Sequence, residues 1–204
     1  MIKRKISICT IAFLVMICMT VPTLGAAKKG SAYKVVDHGG YVYCTHKKGA
    51  DATIFRVDKD SENKTVYYED NRAFDIVRMT VSGNYLYFQK YYGQDLTRKD
   101  GIFRINLKNG KMKKLDTGYN YIISKGKIYY QKYSFKRIGK WKNRVMNLDG
   151  SKKKKSRYSV KAKTKESKVR GYKLKSKSFD GGFEHKNWLV CPSGNEIYLG
   201  ASVG

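Results

Sequence analysis

The chain has 204 residues, with 43 Lys and Arg against 16 Asp and Glu, a formal charge of +27. With 41% apolar and 13% aromatic residues it holds too much core-forming material for a disordered polybasic tail, and its charge is too high for a neutral storage or transport domain. Three His and four Cys fall in no recognisable catalytic or metal-ligand spacing.

Lys3, Arg4 and Lys5 precede the apolar run Ile6 to Val21, followed by Pro22 and the small residues Gly25, Ala26 and Ala27. A basic start, an apolar run shorter than the roughly 20 residues that span a bilayer, and small residues at the break predict a cleavable signal peptide over 1–25. Cys18 follows Met16 and Ile17 rather than a small residue, which argues against a lipid anchor. Cleavage would remove Lys3, Arg4 and Lys5 and leave 26–204, a single domain of 179 residues at +24. A chain of that length buries about 70% of its unfolded surface and needs no staple. No second apolar run follows, so the mature chain is expected to be secreted, in solution or held at the cell wall, without a transmembrane span. Export leaves Cys44 and Cys191 where disulfides form, and a bridge between them would close a loop of about 147 residues. Two buried thiols are the alternative.

From residue 33 onward the sequence reads as short strands in a recurring order. The first group is YKVV, GGYVYC from Gly39, TIFRVDKD from Thr53 and KTVYYED. The second is FDIVRMTV, GNYLYF from Gly83, GIFRINLKNG from Gly101 and KMKKLDT, and the third YNYIIS, GKIYYQ from Gly126, RVMNLDG from Arg144 and KKKKSRYSV. NWLVC and GNEIYL from Gly194 come last, and the four glycines are 44, 43 and 68 residues apart. These runs are too short for helices and rich in β-formers, and Asn109-Gly110 and Asp149-Gly150 are two-residue hairpin signals. Four strands in a repeat of 43 or 44 residues predict an all-β fold, a β-propeller-like array of about four short four-stranded blades. The interval before Gly194, about 25 residues too long, leaves both a minimal ring and an open one in play. Blade packing accounts for Tyr41, Tyr43, Tyr85, Tyr87, Tyr129 and Tyr130, with sugar stacking as the alternative for any that are exposed. Asp58 to Glu69 partly follows a calcium loop, but Asn63 stands where Gly is required and strands flank it, so it reads as a hairpin turn.

The runs GNYLYF...GIFRINLKNGKMKKL and GKIYYQ...RVMNLDGSKKKK resemble the repeat of bacterial secreted proteins whose domain is similar to the β-propeller of low-density-lipoprotein-receptor-related protein. Phe103-Arg104-Ile105-Asn106-Leu107 and Met146-Asn147-Leu148-Asp149-Gly150 carry the likeness, Ile54 to Asp58 follows it more loosely, and it covers roughly residues 33 to 155. The resemblance implies an extracellular, often wall-associated propeller with no assigned activity.

Charge concentrates beyond that stretch. Lys132 to Lys177 holds 19 Lys and Arg against Asp149 and Glu166, a net +17 in 46 residues. Within the atypical segment 151–187, Lys152, Lys153, Lys154 and Lys155 form a run. Lys161, Lys163 and Lys165 then alternate with Tyr158, Val160 and Ala162, and Lys173, Lys175 and Lys177 with Tyr172 and Leu174. Alternation predicts two strands that each bury one face and present three lysines on the other. Protecting strand edges needs fewer charges than this, so these ten lysines are the candidate anion-binding residues. Lys outnumbers Arg 33 to 10, which fits loose adhesion better than bidentate phosphate or base recognition, and export argues against nucleic acid. The expected partner is an anionic cell-wall polymer or polysaccharide, with another envelope protein as a further candidate and no cofactor or metal. The alternatives are a glycan-active enzyme, with Asp37, Asp51, Asp75 and Asp180 as its candidate acids, and a cationic membrane-active protein.

Overall fold

The computed structural model describes residues 27–48, 51–93, 96–137, 139–182 and 184–203. The segment 1–25, read as a signal peptide, lies outside the described residues. Among the described residues there are sixteen strands, one 3-10 turn at Asp180–Gly182, and no helix long and apolar enough to cross a membrane.

The strands follow one another as antiparallel meanders. Blade 1 is β1 (Lys28–His38), β2 (Tyr41–Lys48), β3 (Asp51–Asp58) and β4 (Lys64–Asp70). Blade 2 is β5 (Asp75–Ser82), β6 (Tyr85–Tyr91), β7 (Gly101–Asn106) and β8 (Met112–Asp116). Blade 3 is β9 (Tyr119–Ser124), β10 (Lys127–Tyr133), β11 (Trp141–Asn147) and the two-residue β12 (Lys154–Lys155). The last unit departs from the pattern. β13 (Val160–Ser167) leaves its own sheet to pair in parallel with β1, and β14 (Lys173–Phe179), β15 (Glu184–Val190) and β16 (Glu196–Val203) form a three-stranded blade 4. The all-β, propeller-like architecture is therefore as expected.

The repeat glycines sit where an L side chain would be strained. Gly39, Gly83 and Gly126 have φ of +59°, +56° and +68° in the turns from the first to the second strand of blades 1 to 3. The fourth copy corrects the reading of the sequence. Gly194 lies between β15 and β16, in the third-to-fourth turn that Gly110 and Gly150 serve in blades 2 and 3. The equivalent of Gly126 is Gly171, 45 residues on, with φ +81° in the β13–β14 turn. The long interval was thus a misphased glycine rather than an insertion.

Three apolar clusters join the blades. Val36, Tyr43, Ile54, Ile76, Leu86, Phe88 and Phe103 pack between blades 1 and 2, and Tyr87, Ile102, Leu115, Tyr121, Ile128, Tyr130 and Met146 between blades 2 and 3. Val35, Val42, Cys44, Phe55, Val57, Tyr172, Leu189, Cys191 and Leu199 pack between blades 4 and 1. Among the described residues, no buried apolar cluster joins blades 3 and 4. Each buried large side chain contributes roughly 1.5–3 kcal/mol over its exposed state, so the array is held at three interfaces and open at the fourth.

β1 is the hub. It pairs with β2, with β13 and, through Tyr33 and Met79, with β5, while Gly30 lies so close to β9 that a Cβ there would stand 2.9 Å from Ile122. On the rim that carries the glycine turns, Glu62 accepts from Ser193 Oγ at 2.7 Å and Asn195 Nδ2 at 2.6 Å, which clasps blade 1 to blade 4. Between blades 1 and 2, Lys90 is 1% exposed and donates to Asp70 at 2.7 Å and to the Tyr68 hydroxyl at 2.8 Å.

Gly30→Val should force β1 away from β9 and lower the urea midpoint well below that of Gly126→Ala, which meets open space and bears only left-handed strain, about 1–2 kcal/mol. Equilibrium unfolding of both variants tests the order, and a Gly30→Val chain of unchanged stability would remove the β1–β9 contact from the core.

Candidate functional site

Hairpin register shows what each blade offers its neighbours. His38 pairs with Tyr41, Ser82 with Tyr85 and Ser124 with Lys127, so the third copy is displaced by one residue relative to its glycine. Counted from those pairs, Tyr43, Tyr87 and Tyr129 are equivalent and point toward the next blade. Tyr43 is 2% and Tyr87 1% exposed, each inside an interblade cluster, and burial pushes the Tyr43 phenol up to about 12. Tyr129 is only half-buried, because no apolar face of blade 4 meets it.

Blade 4 shows why. The turn bond from Tyr172 N to Val169 O places Tyr172 in the role of Lys127. Leu174 then takes the place of Tyr129 and packs toward blade 1, as observed. Lys173 and Lys175 take the positions held by Ile128 and Tyr130, which in blades 1 to 3 present apolar atoms to the preceding blade. Lysines therefore stand where the repeat requires aliphatic or aromatic side chains, and the seam between blades 3 and 4 is lined with charge.

On the blade 3 side the seam is a groove of about 700 Å³ lined by Lys127, Tyr129, Val145, Lys152 to Lys155, Arg157 and Tyr158, with no acidic residue in its lining. Tyr158 meets Tyr129 edge to face, with ring centroids 6.0 Å apart. The Lys28 ammonium lies 4.6 Å from the Tyr158 ring centre and 5.5 Å from that of Tyr129, and the Arg157 guanidinium 4.9 Å from Tyr158. Arg157 also donates to the Tyr158 hydroxyl at 2.8 Å and with its charge holds that phenol below its ordinary value, as a strongly positive surrounding requires. On the blade 4 side, Lys173, Lys175 and Lys177 are exposed, Trp188 is paired with Tyr198 at 5.8 Å, and Tyr198 is 45% exposed.

The ten candidate lysines thus divide into three sets. Lys152, Lys153, Lys154 and Lys155 converge on the groove, although Lys153 also lies 4.0 Å from Asp116. Lys173, Lys175 and Lys177 line the facing blade, where Lys175 is held by Glu196 at 2.7 Å. Lys161, Lys163 and Lys165 are exposed on β13, beside Lys29, Ser31 and Tyr33 of β1, and do not reach the groove lining. The alternation expected along β13 holds only at its start, where Val160 is buried and Ala162 half-buried; Thr164 and Glu166 are exposed like the three lysines. Lys28, Lys127 and Arg157 were missed. Lys28 comes from 130 residues away in the chain, and no local pattern links it to Tyr158.

Cys44 and Cys191 are brought together in the blade 4–1 cluster as free, buried thiols. Burial pushes Cys44 up to about 12 and Cys191 up to about 11. The segment from Asp58 is a hairpin turn in which the Asp58 carboxylate accepts from Asp60 N, Ser61 N and Ser61 Oγ. The candidate acids do not converge. Asp37 pairs with Lys59 at 2.7 Å on the glycine rim, whereas Asp51 and Asp75 begin β3 and β5 and Asp180 follows β14, all at the opposite ends of their strands.

No protein-family model matches this chain, and no curated protein matches it. Among solved structures it is similar to TolB from Acinetobacter baumannii, at 15% identity over 85% of this chain and 42% of that one, with a TM-score of 0.44. It is also similar to an uncharacterized protein from Listeria monocytogenes EGD-e, at 12% identity over 85% and 56% of the two chains and a TM-score of 0.41. A chain of the nidogen/laminin complex matches at 12% identity over 80% and 62%, with a TM-score of 0.36. The chain spans less than two thirds of each, and the fold assignment rests on its own meanders.

Between blades 2 and 3, burial pushes the Asp116 carboxyl up, but hydrogen bonds from Lys132 Nζ at 2.8 Å and Tyr130 OH at 2.5 Å hold it below its usual range. A carboxylate with a depressed folded pKa contributes stability above its unfolded value near 3.9, lost as pH falls through the folded value. Asp116→Asn should therefore cost about 1–3 kcal/mol at pH 7 and less at acid pH; unfolding at pH 7 and pH 3 checks this, and an equal cost at both would refute it. Both cysteines should resist alkylation at pH 8 in the native chain and titrate as two thiols in denaturant, as a thiol count will show.

Proposed function

We propose that this protein is an exported, non-catalytic binding module that holds an anionic cell-envelope polymer or polysaccharide in the open seam between blades 3 and 4. The observation that carries the reading is the replacement of interblade apolar positions by Lys173 and Lys175, opposite a Tyr129 and Tyr158 pair ringed by Lys28, Lys127, Lys152 to Lys155 and Arg157. Such a seam combines two kinds of contact. Ammonium groups neutralise a repeating anion without demanding one geometry, and the Tyr faces and the Trp188–Tyr198 pair offer flat surfaces to sugar rings. The amino-terminal sequence supports a location outside the cell, and the scattered acids favour binding over glycan cleavage.

The test is retention of the cleaved chain on purified Gram-positive walls, with and without their anionic polymers, across a salt series and with released sugar assayed in parallel. Retention should require the polymers, weaken steeply as the screening length falls from about 10 Å at 0.1 M to about 3 Å at 1 M salt, and release no sugar. Reversing Lys152, Lys154 and Lys155 to Glu should weaken retention by about tenfold or more, and reversing Lys161, Lys163 and Lys165 by less, since only the first set lines the groove. Equal retention on stripped walls would sink the reading, and new reducing ends would replace it with an enzyme.

A further inference from the structure

A second basic pocket lies away from the seam. It has a volume of about 710 Å³ and is lined by Arg72, Tyr92, Thr97, Arg98, Lys99, Phe103 and Lys114. Arg72 belongs to the connection from β4 to β5 and residues 97–99 to the β6–β7 connection, so this pocket opens at the strand ends opposite the glycine rim.

Its walls are built rather than incidental. The Asp100 carboxylate, fully buried, accepts from Tyr92 N at 2.8 Å, Thr97 N at 2.7 Å, Thr97 Oγ1 at 2.9 Å and Tyr119 OH at 3.2 Å, which fixes the loop carrying Arg98 and Lys99. Half-buried Lys114 reaches across from β8 and donates to the carbonyls of Arg98 at 3.0 Å and Lys99 at 2.7 Å. An ammonium has three donors, so one remains for the pocket. Burial, with Lys90 and Lys132 as neighbouring like charges, holds the Lys114 ammonium below its ordinary range despite Asp100 and Asp116, a condition that a bound anion relieves.

The local carboxylates are already engaged. Asp70 takes Lys90 at 2.7 Å and the Arg72 backbone N–H at 3.0 Å, while the Arg72 guanidinium lies 3.8 Å away and is 82% exposed. Asp100 is consumed by the loop and Asp116 by Lys132. Arg72, Arg98, Lys99 and Lys114 therefore surround a space with Tyr92 and Phe103 in its wall and no carboxylate in its lining.

We propose that this pocket is a second anion site, distinct from the seam, which takes a single tetrahedral oxyanion, a phosphate or sulfate, free or esterified to a sugar. Two guanidiniums supply forked donors for two oxygens and the third Lys114 proton meets another, the arrangement that suits a compact oxyanion better than a long polymer. Half-buried Tyr92 gives a sugar carrying that ester a ring to lie against, while Phe103, 4% exposed, only closes the floor of the pocket.

The full cleaved chain, labelled with nitrogen-15, should be titrated at constant ionic strength with inorganic phosphate, inorganic sulfate and glucose 6-phosphate, with chloride as control. The backbone amides of 97–101 are expected to shift saturably with the oxyanions and not with chloride. Stronger binding of glucose 6-phosphate than of phosphate identifies the ester as the ligand, and equal binding identifies the free oxyanion. Arg72→Ala with Arg98→Ala, both surface changes, should weaken binding by tenfold or more, while Lys154→Glu with Lys155→Glu should leave it within twofold. Shifts that never saturate, that appear equally at Lys152 to Lys155, or that survive loss of both arginines would overturn the proposal without touching the seam.

Discussion

A small sheet in a propeller has two faces and can rely on water for neither of them, so every blade depends on the side chains its neighbours direct at it. In this chain that constraint is met three times and broken once. Val42 and Cys44, Leu86 and Phe88, and Ile128 and Tyr130 are the second-strand residues that cover the preceding blade, and all six are buried. Lys173 and Lys175 occupy the same places in blade 4. An ammonium cannot be left in an apolar interface without several kcal/mol of desolvation, so blades 3 and 4 do not close on one another. The groove, its half-buried Tyr129 and the pair of half-buried Trp188 with exposed Tyr198 all follow from that substitution.

An array missing one interface needs another way to hold its last blade. Here the centre does the work of a closing strand. β13 pairs along β1 over seven residue pairs, from Lys28 with Val160 to Val35 with Ser167. Glu166 then accepts the Leu174 N–H at 2.8 Å, where a strand carbonyl of blade 4 would otherwise stand. Gly30 allows β1 to approach β9 as well, so one strand touches parts of all four units. The Glu62 clasp and the Cys44–Cys191 cluster secure the same interface at the rim and within the core. Blade 4 is thus anchored on one side only, which leaves its lysine face free.

Much of this was legible in the sequence, because turn glycines and apolar runs report local geometry. Gly39, Gly83 and Gly126 mark real turns, and the strands of blades 1 to 3 lie where the runs do. The fourth unit was misphased for a physical reason. Gly194-Asn-Glu-Ile-Tyr-Leu copies the aromatic signature, while Gly171-Tyr-Lys-Leu-Lys has lost it to lysine, and the loss that disguises the repeat is the one that opens the seam. The one-residue displacement in Lys125-Gly126 was equally hidden, yet it decides which of Tyr129 and Tyr130 is buried, since a slip of one residue exchanges the faces of a strand. The pocket of Arg72, Arg98 and Lys114 draws on three separate connections and strands, so no window of sequence contains it.

The lysines also set the terms on which the seam can exist. Like charges gathered on two facing sheets repel, and that repulsion adds to the stability already forgone by leaving the apolar interface unmade. Aliphatic residues at 173 and 175 would restore apolar positions and lessen the repulsion, and the chain carries lysine at both. Internal neutralisation is slight, since Glu196 holds Lys175 and Asp116 lies at 4.0 Å from Lys153, while the groove lining has no acid. A polyanion laid along the seam would supply the missing counter-charge and cover the aromatic faces together, so the feature that weakens the isolated array is the one on which the proposed binding rests.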